Sequence, residues 1–296
     1  MNIADTGENE SHESESGNQP KFRRLFRYFG SKWKLAGDFI SMMPPHVTYV
    51  EPFFGSGAVF FNKPLAKVNI LNDLDSNVWN FFTVLREHPG QLKAMLELTP
   101  YSRDFLTNLF SKGFSKENKI EWAWEFYCWM SMSRGASSKI CKQNITLRRS
   151  YLTSKFVEDF CYSPNNFADI SKMLKKATIE NRCVLKILDD LEALKEEDKN
   201  TIFVYMDPPY SESTRGESHK YNVDICAKTN NFEDDFLDKT SKSSIKMMIS
   251  GFECDKYAEA FKGWNKRQWT VQDECNQLKT ETVWYNYDAM QQGDIC

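Results

Sequence analysis

The tetrapeptide Asp207-Pro208-Pro209-Tyr210 holds the most reactive combination of groups in this sequence. It follows the apolar run 202–206, which is typical of a buried strand. The prolines fix the backbone and leave carbonyl groups without a following N–H. A planar amine could donate to Asp207 and to the Pro208 carbonyl while Tyr210 stacks on its ring, and stacking of this kind is worth about 1–3 kcal/mol per nucleobase. The alternative is a strand-ending turn with a half-buried tyrosine.

A glycine turn and an acidic residue follow two earlier strand-like runs. Gly55-Ser56-Gly57 comes after the run 47–51, and glycine permits a tight turn close to a ligand. It matches neither a phosphate-cradling loop nor the dinucleotide fingerprint. Asp73, after the run 68–71, could accept two hydrogen bonds from a ribose diol, and the spacing suits an adenosine that spans both strand ends. The alternatives are an unliganded turn and a helix N-cap at Asn72-Asp73.

The elements that would position these groups alternate between strand and helix. A short helix over 32–43 ends at two prolines, a helix starts within 58–61, and another covers 75–87. This βαβ order predicts an α/β fold with a Rossmann-like, open, mostly parallel sheet. Further strands are predicted at 177–180, 202–206, 245–249 and 279–285, and further helices at 232–237 and 255–261.

A mainly helical insert interrupts this alternation over residues 100–176. The sequence therefore predicts a catalytic domain built from 21–99 and 177–296. Residues 1–20 are rich in Ser and Glu and nearly devoid of large apolar groups, so we expect a disordered acidic tail.

Bulk composition excludes some classes of protein. No apolar run reaches the roughly 18–20 residues that span a bilayer, and the first residues are polar and acidic. We therefore expect a cytoplasmic protein without a signal peptide or membrane contact. None of the eight cysteines forms a C-x-x-C pair, so reduced thiols and no metal site are expected.

Positive charge is concentrated in two stretches although the net charge is −3. Residues 21–34 and 131–157 carry Lys and Arg but no acid, as a phosphate-binding face requires. The alternative is an ordinary solvated surface. In the second stretch the candidate DNA contacts are Arg134, Lys139, Lys142, Arg148 and Arg149.

In combination these motifs resemble the Dam-type family of DNA adenine methyltransferases, from about Phe26 to Tyr287. The segment 49–61 is similar to the family's cofactor loop, 27–32 to its N-terminal cofactor motif, and 70–73 to its ribose-binding strand end. Cofactor motifs, then an insert, then Asp-Pro-Pro-Tyr is the order of the alpha group, whose insert is the target-recognition domain.

The resemblance implies that S-adenosylmethionine donates a methyl group to the exocyclic amino group of an adenine flipped out of double-stranded DNA. It assigns catalysis to Asp207, Pro208 and Tyr210. It further implies a prokaryotic or phage-encoded, nucleoid-associated enzyme with a possible cognate restriction endonuclease. The residues that would bind the cofactor are Tyr28, Lys32, Glu51, Pro52, Phe53, Gly55, Gly57, Asp73 and Asp207.

Two departures and two alternatives accompany this resemblance. Arg182-Cys183 stands where the family often has an acid near the cofactor adenine, and the insert lacks the family's aromatic-glycine pattern, so the target sequence does not carry over. Residues 280–286 are interpreted as structural packing. The alternatives are a catalytically silent DNA-binding protein on the same scaffold, and an amino-methyltransferase that acts on cytosine or RNA.

Overall fold

Seven strands and eleven α-helices lie within the residues that the computed structural model describes, namely 22, 24–28, 30–134, 146–209, 231–272 and 278–289. The strands are β1 Thr48–Glu51, β2 Val68–Asn72, β3 Thr178–Glu180, β4 Ile202–Met206, β5 Lys246–Phe252, β6 Asn265–Gln272 and β7 Leu278–Tyr285. The helices are α1 Ala36–Ser41, α2 Ser76–Glu87, α3 Pro89–Glu97, α4 Arg103–Lys112, α5 Lys119–Met132, α6 Lys155–Tyr162, α7 Phe167–Leu174, α8 Val184–Glu192, α9 Glu196–Lys199, α10 Phe232–Lys242 and α11 Asp255–Ala260.

The strands form one sheet in the order β3-β2-β1-β4-β5-β7-β6. Pairing is parallel from β3 through β5, whereas β7 runs antiparallel to both β5 and β6. The chain order reverses between β1 and β4, and such a switch point opens a ligand crevice at the carboxyl ends of the strands. The predicted Rossmann-like, mostly parallel sheet is confirmed.

Apolar side chains on both faces bury the central strands. All five residues of β4 are buried. Phe203 and Tyr205 contribute to the core cluster that also includes α2, α5 and α7, whereas Val204 and Met206 contribute to the cluster with α8 and α10. A parallel sheet covered on both faces requires this continuous apolar run, which is why the strand was recognisable in the sequence.

Helix α5, from the predicted insert, packs into the same core as α2. Its Tyr127 ring stacks on Phe81 at 6.0 Å and meets Phe167 of α7 edge-on at 5.8 Å. An antiparallel bridge between Ser133 and Leu147 follows α5. The first half of residues 100–176 is helical as predicted, while their role as a separate target-recognition domain stays a prediction.

Two expectations about local structure are wrong. The helix predicted to begin within 58–61 is only a 3₁₀ turn over Phe60–Asn62, because Pro64 forces the preceding Lys63 into an extended conformation. Strand β6 was not predicted at all. Its sequence, NKRQWTVQ, lacks an apolar alternation, since it lies at the edge of the sheet, where β7 is its only strand neighbour among the described residues.

Replacement of Gly57 by Ala should destabilise the protein by more than backbone strain can explain. Gly57 has φ +69°, and a Cβ there would lie 2.3 Å from Cε2 of Phe61. Gly113 has φ +72° with nothing within 4 Å of the added Cβ, so Gly113→Ala measures the strain alone. In urea unfolding we expect Gly57→Ala to lower the free energy of unfolding by about 1–3 kcal/mol more than Gly113→Ala. Equal losses would show that the Phe61 contact is absent.

Candidate functional site

A cavity opens at the carboxyl edge of the sheet, where β1, β2 and β4 end. Its position is where an open parallel sheet binds its ligands. Seven residues predicted to bind a cofactor line it: Tyr28, Lys32, Glu51, Phe53, Gly55, Asp73 and Asp207. Other lining residues include Ser31, Phe54, Ser56, Asp75, Tyr205 and Pro209.

The loop after β1 is fastened to the end of β2. Asn72 donates from Nδ2 to the Pro52 carbonyl at 2.9 Å, and the main-chain carbonyl of Asn72 accepts from the Phe54 amide at 2.9 Å. Gly55 has φ +48°, and a Cβ there would lie 3.1 Å from the Tyr28 ring. Pro52 and Gly57, both predicted cofactor residues, are not among the lining residues. They therefore act on the shape of the loop.

Asp73 links this loop to the start of α2. Its Oδ2 accepts from the Gly55 amide at 2.7 Å and its Oδ1 from the Asp75 amide at 2.9 Å. Burial raises the pKa of Asp73 to about 7, and the nearby Asp75 carboxylate adds to the shift. Asp75, and neither Asn72 nor Asp73, is the N-cap of α2, since its side chain accepts from the Asn77 amide. The N-cap alternative for Asn72-Asp73 is thus wrong.

Glu51 is a buried acid at the end of β1. Its Oε2 accepts from the Tyr49 hydroxyl at 2.7 Å. Burial raises the pKa of Glu51 to about 8, against the opposing effects of the Tyr49 hydrogen bond and of Lys63. The ammonium of Lys63 lies 4.1 Å from the centre of the Tyr49 ring, and burial lowers the pKa of Lys63 to about 8.

The described residues hold Asp207 through one carboxylate oxygen. Oδ1 accepts from Lys32 Nζ at 2.8 Å and from Ser250 Oγ at 3.0 Å. Burial raises the pKa of Asp207, and Lys32 opposes that rise. Lys32 is only 5% exposed, so its ammonium belongs to the site and not to the solvated surface. The Tyr205 hydroxyl lies 3.1 Å from Ser250 Oγ and completes this network.

The remaining predicted residues are described in part. Pro208 is buried, whereas Tyr210, Lys139 and Lys142 lie outside the described residues. Arg134 and Arg149 are exposed beside the Ser133–Leu147 bridge. The guanidinium carbon of Arg148 lies 4.1 Å from the Phe156 ring, and that of Arg149 lies 4.6 Å from the Tyr151 ring. Three of the five predicted DNA contacts are therefore neighbours on one part of the molecule.

Sequence reasoning missed Glu281. This residue of β7 is 3% exposed, and its Oε1 lies 3.3 Å from Lys32 Nζ. The available signal was an acidic residue within the otherwise apolar and β-branched run 280–285, which had been interpreted as packing. Arg182, at the position where the family often has an acid, pairs with Glu180 and Asp190.

Comparison with known families is consistent with this geometry. Residues 28–275 match the model of the D12 class N6 adenine-specific DNA methyltransferase. The chain belongs to this family. It is therefore an adenine-specific DNA methyltransferase, as the motifs predicted, and the silent-binder and cytosine alternatives are not supported.

Individual relatives of this methyltransferase are distant. A Type II methyltransferase from Lactococcus lactis is 24% identical over 84% of this chain and 87% of its own length. A DNA adenine methylase from Vibrio cholerae is 32% identical over 23% of this chain and 24% of its own length. A solved rRNA methyltransferase from Streptomyces viridochromogenes is 12% identical and covers 88% of this chain and 85% of its own. Its TM-score is 0.37, too low to bear on fold or substrate.

The described part of the methyltransferase contains neither a membrane-spanning helix nor a candidate metal site. No helix there is long and apolar enough to cross a membrane. No group of three or more His, Cys, Asp or Glu side chains there could hold a metal ion.

The Glu51→Gln variant should lose a pH dependence of stability. With its pKa raised to about 8, folded Glu51 keeps a proton that the unfolded chain releases near pH 4.5. The folded state thus binds more protons between these values, and the free energy of unfolding falls as pH rises from about 4.5 to 8. As pH rises across this window, the free energy of unfolding of the variant should therefore increase relative to that of the wild type, by on the order of a few kcal/mol.

Thermal unfolding of the apoprotein from pH 5 to 8 provides the measurement. The lowered pKa of His46 also acts here but is common to both proteins, and Lys63, with its pKa lowered from 10.5 to about 8, acts above this range. Parallel curves for the two proteins would contradict the burial of a protonated Glu51.

Proposed function

We propose that this enzyme transfers a methyl group from S-adenosylmethionine to the exocyclic amino group of an adenine flipped out of double-stranded DNA. One observation carries the proposal. Both hydrogen bonds to Asp207 from described residues reach Oδ1, so no described residue bonds Oδ2. The side chain is 20% exposed and lines the cavity. In the proposed reaction, Oδ2 accepts a hydrogen from an amine that enters the site.

The charges that line the cavity fit the methyl donor. Among the described residues, four carboxyl groups line the cavity, and Lys32 is the only Lys or Arg that does so. S-adenosylmethionine carries a sulfonium and an ammonium, which such a surface favours. Gly55 and Asp73 meet at the end of β2, where a ribose diol would bind. The four carboxyl groups belong to Glu51, Asp73, Asp75 and Asp207.

In the proposed reaction the protein orients the acceptor nitrogen. Asp207 Oδ2 and the Pro208 carbonyl accept the two amino hydrogens, and these hydrogen bonds disfavour conjugation of the nitrogen lone pair with the ring. Tyr210 stacks on the base. The donor supplies an electrophilic methyl carbon. As the nitrogen bonds to that carbon, the carbon–sulfur bond breaks and its electron pair stays on sulfur. One amino proton then leaves, and Asp207 is placed to receive it. Orientation and fixed charge supply the acceleration.

Flipping the adenine costs a few kcal/mol of unpairing and unstacking. We propose that the basic residues beside the Ser133–Leu147 bridge, with Lys139 and Lys142, offset this cost through phosphate contacts as part of a target-recognition domain. The enzyme would act on DNA in the cytoplasm, associated with the nucleoid. The Type II methyltransferase from Lactococcus lactis motivates the further proposal of a cognate restriction endonuclease.

The reaction is tested by incubation of the purified enzyme with labelled S-adenosylmethionine and unmethylated genomic DNA, followed by nucleoside mass spectrometry. N6-methyldeoxyadenosine is expected, and sequencing of the product identifies the target site. Methylcytosine alone, or methylation of RNA alone, would contradict the proposal.

The Asp207→Ala variant should lose methylation while it still binds the donor. Removal of the acceptor for the amino hydrogen should lower kcat by at least about 100-fold. Asp238→Ala is the matched control, because Asp238 pairs with Lys242 on the surface of α10. Single-turnover rates and calorimetric donor affinities give the two readouts. Near-normal methylation by Asp207→Ala would remove the basis of the mechanism.

The Arg149→Ala variant should bind all DNA sequences more weakly and with a smaller dependence on salt. If Arg149 contacts one phosphate, the slope of log K against log salt should shrink by about 0.9. Lys195→Ala is the control, because this exposed lysine lies between α8 and α9, outside the two basic stretches. Fluorescence anisotropy between 50 and 200 mM salt measures both slopes. An unchanged slope would argue against a phosphate contact.

A further inference from the structure

Glu281 is a buried carboxylate with no part in the proposed reaction. It lies on β7, paired in register with Phe252 of β5, and is 3% exposed. A buried carboxylate is costly unless a partner compensates it. Its Oε1 lies 3.3 Å from Lys32 Nζ, so the antiparallel strand contacts the ion pair of the site.

The ammonium of Lys32 is shared between two carboxylates. Nζ lies 2.8 Å from the Gly30 carbonyl, 2.8 Å from Asp207 Oδ1 and 3.3 Å from Glu281 Oε1. Because one positive charge faces two carboxylates, Lys32 cannot fully neutralise Asp207 while Glu281 is ionised.

We propose that Glu281 is a positioning residue for methyl transfer: it anchors Lys32 against Oδ1 of Asp207 and offsets part of the lysine charge, which leaves Oδ2 a strong acceptor for the target amine. The proposal rests on the proposed function and assigns Glu281 no contact with either substrate. It gives a reason for the presence of an acid on the antiparallel strand beside Lys32.

Every described element packed around Asp207 contributes a group to its environment. Lys32 precedes α1, Glu51 ends β1 and repels Asp207, and Tyr205 and Ser250 belong to β4 and β5. Glu281 of β7 acts through Lys32. Loss of the Glu281 charge leaves the whole positive charge of Lys32 to act on Asp207. The Asp207 carboxylate then ionises at lower pH and accepts the amine more weakly.

The test compares Glu281→Gln, Glu281→Asp and the wild type in single-turnover methylation at saturating donor between pH 5 and 9. For Glu281→Gln we expect a maximal rate about 10-fold lower and an acid limb shifted down by roughly one pH unit. Donor affinity should stay within about twofold, because Glu281 is not a lining residue of the cavity. Glu281→Asp keeps the charge, so its acid limb should remain at the wild-type position even where its rate falls.

Glu253→Gln is the matched control. Glu253 is an acid just after β5 that pairs with Lys266 at the exposed edge of the sheet. Its variant should match the wild type in rate and pH profile. Thermal midpoints for all variants separate misfolding from a change in the site.

Two results would overturn the inference. A Glu281→Gln enzyme with the wild-type rate and the wild-type acid limb would show that the charge is irrelevant. Equal losses of rate in the Gln and Asp variants, with an unmoved acid limb, would show that Glu281 contributes only packing. Absence of N6-methyldeoxyadenosine from the wild type is a separate outcome, which overturns the proposed function and this inference with it.

Discussion

The ion pair between Lys32 and Asp207 joins two segments of this enzyme that lie far apart in the sequence. Lys32 lies 175 positions before Asp207, and their 2.8 Å contact brings the segment ahead of α1 to the end of β4. Burial of an ion pair costs desolvation, so it stabilises little unless further hydrogen bonds satisfy both groups. The Gly30 carbonyl accepts from Lys32 and Ser250 donates to Asp207, while the Glu281 carboxylate lies within ion-pair distance of Lys32.

Aromatic packing holds the cofactor loop against this network. Phe54 contacts Phe61 edge-on at 5.6 Å and Phe82 of α2 at 4.6 Å, and Gly57 leaves the space that these rings occupy. The loop thus takes its shape from the core beneath it, while Asn72 and Asp73 fasten its backbone from β2. A change in this core would move the cavity wall without touching a polar group.

Acidic and basic side chains are concentrated in different parts of the molecule. The cavity is lined by carboxyl groups and suits a cationic donor, whereas Arg134, Arg148 and Arg149 lie together beyond α5 and suit phosphates. A net charge of −3 conceals this separation, because electrostatic recognition depends on local potential rather than on the total. Burial raises the pKa values of Glu51 and Asp73 to about 8 and 7, so the charge that lines the cavity changes near neutral pH.

By itself the sequence determined the alternation of strands and helices, the strand ends that bear Glu51, Asp73 and Asp207, and the family. These features were readable because buried parallel strands are continuous apolar runs and the short motifs follow directly after them. Only the tertiary structure decided the contact between Glu281 and Lys32 and the burial of both residues. Strand β6 also escaped prediction, since an edge strand lacks an apolar pattern. Contacts across many residues depend on sheet order, and local sequence carries no record of which distant strand a side chain will face.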